Sequence, residues 1–143
     1  MQKLNKKVEY ALMALKHFRD NGLSGQRTEK TDEIVMSAKQ IAEATHAPYE
    51  VTARVLQVLS SNGILKAAYG TQGGYKLGKN LDQVSVLDLM NMIEGSTDVA
   101  KCLSDEKECD LSKTCTIISP VQNLNRKVQK FYSSISLNEV LHV

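Results

Sequence analysis

The stretch SAKQIAEATHAPYEVTARVLQVLSSNGILKAAYGTQGGYKL, residues 37–77, decides the fold. Ser37 followed three residues on by Gln40 is a capping box: hydroxyl and side-chain amide each satisfy a backbone N–H of the first turn. The pair predicts a short helix through Ala44. His46-Ala47 reads as a tight turn, and Pro48 suits a first helical position, where a missing N–H costs nothing. Val51, Val55, Val58 and Leu59 then recur at helical spacing, predicting a second helix with one buried face that ends at Asn62-Gly63. Two helices joined by so few residues make a helix-turn-helix. Ile64 to Ala68 and Tyr75-Lys76-Leu77 flank the glycine-rich run Gly70-Thr71-Gln72-Gly73-Gly74, which predicts a β-hairpin directly after the second helix. A hairpin in that position is a wing.

Outward from this core, Val8, Ala11, Leu12, Leu15 and Phe18 predict an amphipathic helix over residues 5 to 20, ended at Asn21-Gly22. Residues 23 to 33 are polar and read as a loop, and Ile34-Val35-Met36 as a short strand. Past the wing, Ser85 caps a helix with Val86, Leu89, Met90 and Ile93 on its buried stripe and Gly95 at its end. Periodicity is lost from 96 to 116. Pro120 then opens a long helix with Val121, Leu124, Val128 and Phe131 near heptad spacing, and Ser136 with Glu139 forms a last capping box over Leu137, Val140 and Leu141. The predicted fold is mainly α with a small β wing: a winged helix-turn-helix domain over residues 1–95, a cysteine segment over 96–118, and a dimerisation helix with its tail over 119–143.

In a helix-turn-helix the exposed face of the second helix enters the major groove. If Val51, Val55 and Leu59 point inward, Tyr49, Glu50, Thr52, Ala53, Arg54 and Gln57 point outward. Arg54 matches guanine bidentately, Gln57 matches adenine, and Thr52 suits a thymine methyl or a phosphate. Tyr49 and Glu50 stand at the helix start, and Lys39 at the start of the preceding helix. The wing glycines permit close backbone approach to a duplex, with Thr71, Gln72 and Lys76 near the minor groove. Residues 37–79 carry Lys39, Arg54, Lys66, Lys76 and Lys79 against Glu43 and Glu50, a net of +3 in a chain whose total is +2 over 143 residues. The expected partner is double-stranded DNA with a palindromic site, read by a homodimer joined through the apolar stripe of the long helix. No transmembrane run and no signal peptide is legible, so a cytoplasmic location is expected.

The three cysteines, Cys102, Cys109 and Cys115, fall within fourteen residues. A reducing compartment disfavours a disulfide, which would also leave one thiol over. The paired cysteine-x2-cysteine knuckles of structural zinc sites are absent. Three thiolates loosely spaced on an irregular segment suit an iron–sulfur cluster, with a fourth ligand from elsewhere. Two alternatives stay open: the cysteines act as thiol redox sensors or bind zinc, or the chain is a small electron-transfer protein with the winged module for docking. No nucleophile–base pair and no phosphate loop points to an enzyme, because Gly70–Gly74 precedes a strand rather than a helix.

Taken together the sequence resembles the Rrf2 family of bacterial winged-helix regulators, which includes IscR-like and NsrR-like members. The resemblance rests on Val8-Glu9-Tyr10-Ala11-Leu12, Ala53 to Leu59, Asn62-Gly63-Ile64-Leu65, the wing from Gly70 to Leu77, Ile93-Glu94-Gly95, the cysteine triplet and Ile135-Ser136-Leu137. It implies a homodimer crossed through the long helix, one cluster per subunit near the partner's first helix, and control of genes for iron–sulfur assembly, iron supply or nitric-oxide and redox stress. The first cysteine gap is six residues where the family usually has five, and Ile118 stands where IscR-like members have a histidine. NsrR-like members use a first-helix carboxylate of the other subunit, which makes Glu9 the candidate fourth ligand and favours a 4Fe–4S over a 2Fe–2S cluster. The resulting expectation is a repressor switched by cluster status.

Overall fold

A computed structural model describes residues 4–23, 34–71, 73–104 and 109–143. Its order is α1 (Lys6–Leu23), α2 (Ala38–Thr45), α3 (Tyr49–Ser61), β1 (Leu65–Ala68), β2 (Gly74–Leu77), α4 (Val86–Glu94), α5 (Ile118–Ser133) and α6 (Leu137–Leu141). Single 3-10 turns lie at Leu81–Gln83 and Lys101–Leu103. The winged helix-turn-helix is as expected.

The helices start where side chains satisfy first-turn amides. Both halves of the Ser37–Gln40 box form, and Ser85 forms a second with Asp88, each bond 3.0 Å long. A cap of this kind contributes about 1 kcal/mol. Between α2 and α3 the chain reverses at His46, whose backbone is left-handed (φ 54°, ψ 29°), while Ala47 N–H donates to Ala42 O at 3.1 Å. Pro48 is the N-cap of α3 rather than its first residue.

Several expected boundaries shift. Helix α1 continues through Asn21-Gly22 to Leu23, and the Asn21 amide donates to His17 O one turn earlier, as helix geometry allows. Residues 34–36 form no strand. Met36 makes one antiparallel bridge to Tyr75, with N–H···O bonds of 2.9 and 2.8 Å. That bridge explains Gly74, where a Cβ would lie 2.5 Å from the Met36 carbonyl oxygen. Helix α5 begins at Ile118, two residues before Pro120, which then sits within the first turn where no N–H is needed.

One core unites the first part of the chain. Val8, Ala11, Ala14, Leu15 and Phe18 of α1 meet Ile41 of α2, Val55, Leu56 and Leu59 of α3, Ile64, Leu65, and Leu89 and Met90 of α4. Each fully buried large side chain contributes about 1.5–3 kcal/mol. Leu137 and Leu141 of α6 join this core after the chain has travelled out along α5. The return is fixed by a Ser85–Ser136 bridge and by Arg19, which donates to Asn138 Oδ1 at 2.8 Å and Leu141 O at 2.9 Å.

Candidate nucleic-acid interface and cysteine segment

Helix α3 turns a different stripe inward from the one its valines suggest. Thr52, Val55, Leu56 and Leu59 are buried, and Val51 and Val58 are only half-buried at the edges. Thr52, expected on the outer face, is therefore corrected: it is 2% exposed, and its Oγ1 has no hydrogen-bond partner among the described residues. Leu56 takes the central core position because 52, 55, 56 and 59 lie within one sector of a 3.6-residue helix.

Ala53, also expected outward, is half-buried, and the other expected outward residues are exposed. Tyr49 is 55% exposed, and Glu50, Arg54 and Gln57 are exposed. Arg54 and Gln57 stand three residues apart on one face, so both can reach neighbouring bases. Glu50 lies in the first turn of α3, where a carboxylate complements the positive end of the helix. Lys39, Glu43, His46 and Tyr49 line a cleft at the α2–α3 corner, and a second groove along α3 is lined by Lys7, Val51, Arg54, Gln57, Val58 and Ile93. Thr71 is exposed and Lys76 half-buried, while Gln72 lies outside the described residues.

Of two further wing residues, Lys66 enters the sequence reading only through the charge balance and Tyr69 is given no role. Tyr69 at the hairpin end is 95% exposed. Lys66 pairs directly across from Lys76 in the β1–β2 register, which sets two cationic side chains side by side on one face of the wing. Strand alternation could have found Lys66.

The cysteine segment has another character. Cys102 lies in the 3-10 turn after α4 and is exposed, Cys109 is exposed, and Cys115 is half-buried just before α5; all three are free thiols. None belongs to the core. Among the described residues no three His, Cys, Asp or Glu side chains converge as a metal site. Donor type and access therefore fit a thiolate-bound cluster, although the three thiols are not already drawn together among the described residues. Glu9 is engaged within its own helix, where its carboxylate accepts from Lys6 Nζ at 2.7 Å and raises the Lys6 pKa above its ordinary value, by the hydrogen bond first and by charge second.

Helix α5 contributes no buried residue. Leu124 is 53% and Phe131 62% exposed, with Val121 and Val128 half-buried between them. The apolar stripe expected from heptad spacing is thus uncovered.

The sequence pattern of the Rrf2 family, described as an iron-dependent transcriptional regulator, matches residues 4–143. The chain belongs to the Rrf2 family. Among its relatives, IscR of Photorhabdus laumondii is 30% identical over 84 residues, covering 59% of this chain and 51% of that protein. CymR, the global cysteine regulator of B. subtilis, superposes with a TM-score of 0.69 at 21% identity, over 99% of this chain and 98% of that one. IscR of T. potens superposes at 0.65 and 22% identity, over 99% and 87% of the two chains. At these identities the superpositions establish the fold alone. This Rrf2 chain is a transcriptional regulator rather than an enzyme, and the family binds DNA. Among the described residues, no helix is long and apolar enough to cross a membrane.

Proposed function

We propose that this Rrf2 chain is a repressor that binds a palindromic duplex as a homodimer joined through α5, and that an iron–sulfur cluster on Cys102, Cys109 and Cys115 sets its affinity for DNA. The observation that carries the reading is that three free thiols, none of them in the core, share one irregular segment between α4 and α5. Buried cysteines act as small hydrophobes; these have no such role. Glu9 of the second copy is the proposed fourth ligand, and the favoured cluster is 4Fe–4S. A carboxylate is a hard donor among soft thiolates, so that corner is the labile one.

When bound, the cluster supplies redox-labile bonds that hold three points of the 96–116 segment together. The chain's residues supply the rest. Arg54, Gln57, Tyr49, Glu50 and Lys39 face the major groove, with Thr71, Gln72 and Lys76 at the wing. The stripe Val121, Leu124, Val128 and Phe131 joins the two copies and fixes the distance between their recognition helices. Released, the 96–116 segment lets α1 and α5 meet differently and changes that distance. A coupling of about 1–3 kcal/mol between the cysteine segment and the DNA face changes affinity roughly 5- to 150-fold.

Purification without oxygen tests the reading: coloured protein with iron and sulfide, and different footprints for the loaded and stripped forms, are expected. Colourless protein overturns the cluster, and equal footprints overturn the switch. Glu9→Ala is expected to shorten cluster lifetime while the dimer stays folded; an unchanged lifetime removes Glu9 from the ligand set.

A second reading has its own support. Because the thiols are accessible and not drawn together, they also suit a direct thiol switch. Oxidant-dependent DNA binding in iron-free protein, abolished by Cys→Ser changes, would favour it.

A further inference from the structure

Between α4 and Cys102 the chain is tied to α5 by a compact polar cluster. Asp98 Oδ1 accepts from Asn125 Nδ2 at 2.8 Å and from Gln129 Nε2 at 3.1 Å. Its second oxygen accepts from Ser96 Oγ at 2.5 Å. Asn125 uses the other end of its amide as well, with Oδ1 accepting the Val99 N–H at 3.0 Å. Upstream, the buried Thr97 donates to Asn91 Oδ1 of α4 at 2.8 Å. Residues 97–99 are therefore fastened to both helices, and the carboxylate is the centre, receiving three hydrogen bonds. Bonds to a charged acceptor are about twice as strong as neutral ones.

The position of this cluster gives it consequence. Cys102 is three residues beyond Val99, a reach of about 10 Å even when fully extended. At the other end Cys115 is three residues before Ile118, the first residue of α5. Asn125 lies seven residues further along the same helix, about 10 Å up its axis. One helix thus anchors both ends of the cysteine segment, at points about 10 Å apart along its axis, within the combined reach of the three-residue spans to Cys102 and Cys115. Asn125 and Gln129 lie one turn apart on that helix, so they meet Asp98 together.

We propose that Asp98 is a positioning residue, which through Asn125 and Gln129 holds Cys102 at a set distance along α5 so that the three thiols can converge on one metal centre. The proposal rests on the thiolate reading above and deepens it. Without the Asp98 carboxylate, the Cys102 end of the segment would be held only by the neutral bonds of Thr97 to Asn91 and Val99 to Asn125.

The test compares three full-length proteins: the unsubstituted chain, Asp98→Asn, and Asp98→Asn combined with Asn125→Asp. In the double variant the new amide donates to the new carboxylate, whose second oxygen still accepts from Val99. Amide hydrogen exchange at Val99 in metal-free protein is expected to speed about tenfold in Asp98→Asn, as the three bonds to residue 98 lose their charge assistance, and to return in the double variant. Titration with Cd2+, followed by its thiolate absorption, is expected to show affinity reduced at least tenfold in Asp98→Asn and regained in the double variant. Unchanged exchange, or unchanged Cd2+ affinity, overturns the positioning role. Reduced Cd2+ affinity that the double variant fails to regain also overturns it, since a general loosening of the fold would give that result. Reconstitution with iron and sulfide is scored separately. If all three proteins stay colourless while the exchange and Cd2+ results hold, the cluster reading falls and the positioning role stands.

Discussion

Helices α1 and α5 are of similar length, 18 and 16 residues, and both carry apolar side chains at helical spacing. Helix α1 buries Val8, Ala11, Ala14, Leu15 and Phe18, whereas α5 buries nothing fully and leaves Leu124 and Phe131 more than half exposed. The amphipathic pattern alone does not distinguish them. What differs is supply: α1 faces α3 and α2 within its own chain, while α5 departs from the module and meets mainly α4 at its edge. The winged module is complete in one copy. The α5 region and the thiols before it have unmet demands, apolar and chemical, which the proposed second copy and metal centre would meet together.

Equivalent truncations in the two regions should therefore behave differently. Leu56→Ala, at the centre of the module, is expected to cost about 2–5 kcal/mol in chemical denaturation, with no dependence on protein concentration. Arg54→Ala is expected to leave stability unchanged, to weaken operator binding by about 1–3 kcal/mol and to relax preference at one base pair, read by binding to a panel of altered duplexes. Leu124→Ala is expected to cost about 1–2 kcal/mol in association, seen by sedimentation as a shift toward single copies. Equal, concentration-independent destabilisation by Leu56→Ala and Leu124→Ala would erase the contrast between the regions.

Two smaller effects sharpen it. Thr52→Val keeps the shape of the side chain and removes a buried hydroxyl with no partner among the described residues, so a gain of about 1 kcal/mol with unchanged DNA affinity is expected. Lost affinity would return Thr52 to the contact surface. The smallest concerns acid. Hydrogen bonds from Ser96 and then Asn125 hold the Asp98 carboxyl below its ordinary pKa of 3.8, against opposing desolvation and with help from Gln129. The unfolded chain binds this proton more readily, so the stabilisation is fully present above that ordinary value and is lost as pH falls through the lower folded one. The stability gap between the unsubstituted protein and Asp98→Asn should hold at pH 5 and above and narrow as pH falls below about 4 in thermal melts.

Much of the module was legible because its signals are local. Ser37 with Gln40, the Asn62-Gly63 stop and the wing glycines each act within a few residues, and the cysteine triplet stands out by spacing alone. The inward stripe of α3 was misjudged because Val51, Val55 and Val58 repeat as plausibly as Thr52, Val55, Leu56 and Leu59, and only packing against α1 and α2 selects between them. Asp98 and Asn125 were invisible, being 27 residues apart and polar, without any periodicity to flag them. The return of Leu137 and Leu141 to the core was equally hidden, since a short capped helix does not announce what it packs against.

That return through α6 has a mechanical meaning. A terminal helix attached at one end could swing or spin without disturbing the domain that bears it. Here α5 leaves beside α4 and comes back through the Ser85–Ser136 bridge and the Arg19 contacts, so it is a closed strut about 24 Å long at 1.5 Å per residue. A closed strut transmits torque: twisting it about its axis must turn the frame at both ends. Each residue added within α5 would advance its phase by about 100°, so one inserted residue should disturb operator spacing more than a near-full turn of four.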